Sequence, residues 1–231
     1  MKKLITLIFI SLLAISCKKT ETPVVPVAPV TPAVTEDRIF SNVLIIGNSI
    51  TRASPTPEIG WNNNWGMAAT KAEFDYVHLL TAKFKALNPA VKLNTVTSGE
   101  FEVGYPTFDF VPFYAEVKAT KPDLLILRFG ENIVQDNPEL TLFDDKYTAL
   151  VNYFKEGNPK LKILAVGSFW SNPVVDACMK KRSKFVTLTP LLNDINNQAF
   201  NDFTNHSVQI HPSDKGMKVI SDIIWEGLKG L

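Results

Sequence analysis

The residue of this sequence best placed to do chemistry is Ser49. It stands in NVLIIGNSIT, Asn42 to Thr51, where a run of branched apolar residues stops at Gly47 and a serine follows two places later. A serine held where a buried strand meets solvent can act as the nucleophile of acyl transfer. It then needs a base to take its proton and donors to receive the oxyanion of the tetrahedral intermediate. The same serine could instead cap a helix that follows it. Metal chemistry is a poor alternative: the 3 histidines and the scattered carboxylates show no ligand spacing. No metal or other cofactor is expected.

The elements that would position such a group alternate along the chain. NVLIIG, VKLNTVT near Val91, DLLILRFG near Asp123, LKILAVGSF near Leu161 and FVTLTP near Phe185 are short, mostly continuous apolar runs. Continuous rather than alternating apolarity marks strands buried on both faces, hence a parallel sheet. Between them, EFDYVHLLTAKFKAL from Glu73, TLFDDKYTALVNYFKEG from Thr141 and DKGMKVISDIIWEGLKG from Asp214 carry apolar residues at helical spacing. Weaker helix signals lie near Thr107 and Val174. The pattern predicts an α/β domain, a three-layer α/β/α sandwich around a central, mainly parallel five-stranded sheet. Such domains place their sites at the carboxyl ends of the strands, where Ser49 falls.

Four short blocks then resemble the SGNH (GDSL-like) hydrolases, in that family's order. IIGNSIT is similar to the first block, with Asn48 in place of the commoner aspartate. NTVTSGEF supplies a glycine, Gly99, for the second. PDLLILRFGENIV resembles the third through Gly130-Glu131-Asn132. QIHPSDKGM resembles the fifth, with His211 followed by a proline and, four residues on, a glycine. The resemblance spans nearly the whole domain and implies an SGNH/flavodoxin-like fold. It implies Ser49 as nucleophile and His211 as base. It also implies an oxyanion hole of the Ser49 and Gly99 backbone N–H groups with the Asn132 side-chain amide. At Gly99 a backbone without a side chain can approach a ligand closely.

One position departs from the family. An aspartate usually stands three residues before the histidine, to orient the ring; here that residue is Val208. The Val208 carbonyl or another backbone oxygen could accept from Nδ1, giving a Ser-His dyad, the preferred reading. Asp202 or Glu102 could fold in as a carboxylate partner. His206 is the alternative base.

The loop PTPEIGWNNNWGMAAT sets Trp61 and Trp65 around three asparagines. Aromatic faces beside amides suit a sugar ring, although both tryptophans could equally pin the loop to the core. Glu131 is a further substrate-binding candidate, and Tyr105 and Phe108 could form an opposite wall.

At the N-terminus, residues 1–17 read as a lipoprotein signal peptide ending in a lipobox at Cys17, the expected lipidation site. Residues 18–36 form a proline-rich tether, and 37–231 the hydrolase domain. A net charge of +1 with both signs interspersed leaves no nucleic-acid footprint. The remaining cysteine, Cys178, reads as a small buried apolar residue. The expectation is an envelope lipoprotein anchored through Cys17. It would be a serine esterase removing acyl groups, acetyl first, from carbohydrate. A lipase or lysophospholipase, and a non-catalytic carbohydrate-binding surface protein, are the alternatives.

Overall fold

The computed structural model describes residues 38–136 and 139–231. The signal peptide, Cys17 and the tether lie outside the described residues. Five strands form one sheet in the order β2-β1-β3-β4-β5. They are β1 (Asn42–Gly47), β2 (Lys92–Thr97), β3 (Leu124–Arg128), β4 (Lys162–Val166) and β5 (Lys184–Val186). Every neighbouring pair is parallel.

The continuous apolar runs are explained by what covers the two faces. Val43, Ile45, Leu124, Ile126, Leu164 and Val166 point to one side. There they meet α1 (Tyr76–Leu87) and α8 (Asp214–Gly227). Leu44, Ile46, Leu125, Leu127, Ile163 and Ala165 point to the other. Against them lie α2 (Gly99–Gly104), α3 (Phe110–Phe113), α5 (Leu140–Lys155) and α6 (Pro173–Lys180), with α4 (Ala115–Ala119) following α3. Burial on both faces leaves no room for polar alternation in the inner strands. β2 differs because it is an edge strand, and none of its residues is fully buried.

Several boundaries shift from expectation for local reasons. α1 begins at Tyr76 rather than Glu73 because Asp75 caps it, accepting the His78 N–H at 2.7 Å. The signal near Thr107 resolves into the short α3 and α4, and α2 had no periodic signal at all. A four-residue helix, α7 (His206–Gln209), precedes α8.

From β1 the chain crosses to β2 on one side, then returns to place β3 on the other. This reversal leaves a crevice between the carboxyl ends of β1 and β3, where sites form in open α/β sheets. The segments carrying Ser49 and Asn132 leave from those two ends.

Candidate active site

Ser49 follows β1 in a tight turn. The Asn48 carbonyl accepts the Thr51 N–H at 2.8 Å and the Arg52 N–H at 3.0 Å, while the Ser49 carbonyl accepts the Met67 N–H at 2.9 Å. No regular helix follows before Pro57–Ile59, so Ser49 caps nothing. Its Oγ lies 3.0 Å from His211 Nε2.

His211 reaches it from the loop before α8. Its own N–H donates to the Val208 carbonyl at 3.0 Å, and its carbonyl accepts the Ala199 N–H at 3.0 Å. Ser213, two residues on, caps α8 by accepting the Gly216 N–H at 3.2 Å. The ring is buried, and burial pulls its pKa down to about 4, against a raising influence from the Ser207 backbone. The imidazole is therefore neutral, and able to accept a proton, at ordinary pH.

The expected orienting groups are placed elsewhere. His211 Nδ1 is buried and makes no hydrogen bond of ordinary geometry among the described residues; the backbone acceptor that favours its protonated form is that of Ser207, one residue before Val208. The Val208 carbonyl accepts the His211 main-chain N–H and no bond from Nδ1. Asp202 is exposed, and Glu102 is bound into a different network. Among the described residues no carboxylate completes a triad. His206 is also exposed and lies against Phe200, ring centroids 6.2 Å apart, so it is not the group facing Ser49.

The network around Glu102 organises the opposite side. Glu102 accepts from the Gly130 N–H at 2.6 Å, Asn132 Nδ2 at 3.0 Å, Ser98 Oγ at 3.1 Å and Asn48 Nδ2 at 3.1 Å. Asn48 Nδ2 also reaches Glu131 at 2.7 Å, and Arg128 donates to Asn48 Oδ1 at 2.6 Å and to Glu131 at 2.5 Å. An aspartate at position 48 would put a third carboxylate beside two. An asparagine donates to both and accepts from Arg128, which accounts for the residue found there. Burial, then the charge of Glu131, raise the Glu102 pKa to about 7. Gly130 has φ +126, a conformation side chains resist, and an added Cβ would meet Ser168 Cβ at 2.8 Å.

Ser49, Gly99 and Asn132 line one cavity of about 500 Å³ with Arg52, Ser54, Thr56, Met67 and Thr97. An amide nitrogen carries two hydrogens, so Asn132 keeps one beyond its bond to Glu102. The Ser49 N–H has no partner among the described residues, whereas the Gly99 N–H donates to Thr97 Oγ1 at 3.2 Å. Space does not force the glycine at 99, since a Cβ there would meet only Thr97 Oγ1 at 3.5 Å.

The substrate-wall candidates fare differently. Trp61 is completely buried, edge-to-face with Trp65 at 6.0 Å and packed on Phe203. It pins the loop and offers no face to a ligand. Glu131 is corrected likewise: its side chain is 1 % exposed and ion-paired to Arg128. Tyr105 is buried against Phe143, and Phe108 packs on Phe101 and Phe113. Trp65 stays half-exposed, as Phe108 does, and lines a second cavity of about 420 Å³ that shares Arg52 and Thr95 with the first. Cys178 is buried, and burial raises its thiol pKa. Among the described residues no cluster of three or more His, Cys, Asp or Glu side chains could hold a metal ion.

Sequence reasoning missed Arg128 and Trp170. A charge inside the apolar run LLILR was a signal, because a buried guanidinium needs partners. Trp170, whose ring stands 5.1 Å from that of His211, gave none.

No family model and no curated protein sequence matches the chain. Solved structures do. A two-domain esterase active on acetylated mannans is 18% identical with a TM-score of 0.53, the match covering 81% of this chain and 48% of that one. The chain thus spans about half of that protein. The psychrotrophic esterase EstA from Pseudoalteromonas sp. is 16% identical with a TM-score of 0.54, over 82% of this chain and 97% of the other. A Parabacteroides merdae protein provisionally described as a GDSL-like lipase is 18% identical with a TM-score of 0.50, over 81% and 95%. At these identities the likeness is one of fold, and the fold is that of the SGNH, or GDSL-like, hydrolases.

Proposed function

We propose that this protein is a serine esterase working through a Ser49–His211 dyad. The observation that carries the reading is the 3.0 Å approach of Ser49 Oγ to His211 Nε2, with Ser49 lining the same cavity as Gly99 and Asn132. Ser49 Oγ attacks the ester carbonyl carbon while His211 Nε2 takes its proton. The carbonyl oxygen, now negative, is received by the Ser49 and Gly99 N–H groups and the free Asn132 amide hydrogen. For Gly99 this requires the Thr97 hydroxyl to yield its place. Removing one such donor from a serine hydrolase costs about 3–4 kcal/mol of transition-state stabilisation. The imidazolium then protonates the leaving alcohol. Water, deprotonated by the same nitrogen, releases the acid.

O-acetyl groups on carbohydrate are the favoured substrate class. The cavity is lined by hydroxyl, amide and guanidinium groups rather than a continuous apolar wall, which suits a short acyl group on a polar alcohol better than a long chain. The half-exposed Trp65 next to Asn64 in the adjoining cavity, and the activity of the two-domain esterase on acetylated mannans, support the same choice. The paired Ser49 and His211 weigh against a purely binding role. Hydrolysis of p-nitrophenyl acetate by the soluble domain, beside a Ser49→Ala control, is the test. The variant is expected to lose turnover and to melt within a few degrees of the parent, because a surface hydroxyl contributes little to the core. Retained turnover would sink the nucleophile assignment.

The reading extends to the lipobox. Acylation of Cys17 would tether the enzyme at the cell envelope, outside the cytoplasm. Cys17→Ser should then move the protein from the membrane to the soluble fraction, and equal fractionation of parent and variant would count against the anchor.

A further inference from the structure

An imidazole that serves as a base must be held against rotation, and a hydrogen bond from Nδ1 is the usual restraint. Here Nδ1 is buried and has only the Ser207 backbone near it, with no hydrogen bond of ordinary geometry and no carboxylate. The side chain that packs on the ring is Trp170, perpendicular to it at 83° with centroids 5.1 Å apart. The indole is itself fixed: its Nε1–H donates to the carbonyl of Ile210, the residue immediately before His211, at 3.0 Å. The Trp170 N–H donates to Ser168 Oγ at 3.2 Å, and the Phe169 N–H to Glu131 Oε1 at 2.6 Å. Ser171, next in the chain, is a non-glycine residue at φ 65. Such conformations persist where surrounding contacts over-determine them, often at functional sites.

We propose that Trp170 is a positioning residue of this site. Its ring contact on His211 and its anchor at Ile210 keep Nε2 against Ser49, the task a carboxylate performs in the resembled family. This rests on the Ser49–His211 reading above. Because the segment from Ser168 to Ser171 also donates to Glu131, it ties the base to the buried network behind Asn132. One short loop thereby sets the distance between the proton acceptor and the oxyanion donors.

The test uses Trp170→Ala, Trp170→Leu and Trp170→Phe with p-nitrophenyl acetate, after circular dichroism has verified folding. The alanine and leucine variants are expected to lose about 10²-fold in kcat, as a misplaced base does, with KM within about twofold. The acid limb of kcat/KM should move upward from near pH 4 towards 6.5 as the imidazole gains water. Phenylalanine keeps a ring and should recover most of kcat and the low limb. Folded alanine or leucine variants with parental kcat and an unmoved limb would overturn the proposal, as would leucine performing as well as phenylalanine. If the alanine variant does not fold, the leucine and phenylalanine pair decides. Ser49→Ala in the same assay separates the two failures: turnover without Ser49 refutes the dyad, whatever Trp170 does.

Discussion

The two walls of this site are built by opposite means. Behind Asn132, two carboxylates, a guanidinium, two amides, a hydroxyl and the backbone N–H groups of Gly130 and Phe169 are joined in one buried hydrogen-bonded network. Behind His211, the ring has an aromatic neighbour and a buried nitrogen with nothing better than the Ser207 backbone near it. The contrast follows from what each wall must do. A donor aimed at a developing negative charge gains from fixed dipoles that need not reorganise. A base must remain neutral until it takes a proton, and an apolar setting keeps it so. The cost is basicity, since the same burial that keeps His211 neutral also disfavours the imidazolium it must become.

Breaking the polar wall should have the largest effect on the fold. Arg128 is completely buried and binds both Asn48 Oδ1 and Glu131. Arg128→Met keeps most of the volume but leaves Glu131 without its ion-pair partner. Removing one partner of a buried pair typically costs about 3–5 kcal/mol. Urea unfolding should show a loss of that order. A loss below about 1 kcal/mol would mean that the network does not hold this wall in the way its geometry implies.

The contrast also explains what could be read from sequence. The β3 run and the β4 run are apolar because both faces of each strand are covered, and that is visible one residue at a time. The SGNH-like blocks carried Ser49, Gly99, Asn132 and His211 to the same end of the sheet. What stayed hidden were partnerships across the chain. Glu102 was weighed as a partner for the histidine, yet it serves Asn132, Gly130, Ser98 and Asn48, because α2 turns it into the β1–β3 crevice. Trp61 and Trp65 looked equivalent in the sequence. Only packing on Phe203 and Trp65 shows that Trp61 faces inward. The Trp170 contact joins the loop after β4 to the loop before α8, and no local periodicity encodes that meeting.

The two walls should respond to pH with opposite sign. Unfolded Glu102 would titrate near 4.5, but in the fold it titrates near 7. Between those values the folded chain binds more protons than the unfolded one, so this group makes stability fall as pH rises. His211 moves from 6.5 down to about 4. Between those values the unfolded chain binds more protons, so this group makes stability rise with pH. Asp176, raised to about 6, acts in the same direction as Glu102, so the parent curve is a mixture. Differences between parent and variant isolate each contribution. Unfolding free energies measured from pH 4 to 8 should give a parent-minus-Glu102→Gln difference that declines with pH. The parent-minus-His211→Ala difference should climb. Two differences of the same sign would show that the walls are not electrostatically opposed.

The smallest effect is expected at Val208, where the family's aspartate would stand. Val208 is completely buried in a small cluster with Ala53, Trp61, Met67, Ala68 and Ala199. Its side chain therefore belongs to the packing under the His211 loop, and its carbonyl holds the His211 N–H. Val208→Ala keeps that carbonyl and removes two buried methyl groups, at a cost of about 2 kcal/mol. Turnover of p-nitrophenyl acetate should stay within about threefold of the parent, because the groups that touch the ring are unchanged. A loss approaching that of His211→Ala would show that the loop backbone, rather than Trp170, fixes the base. Val208→Asp would not restore a triad. It would place a carboxylate among apolar side chains with no donor to receive it, and the gain in ring orientation would be lost to desolvation.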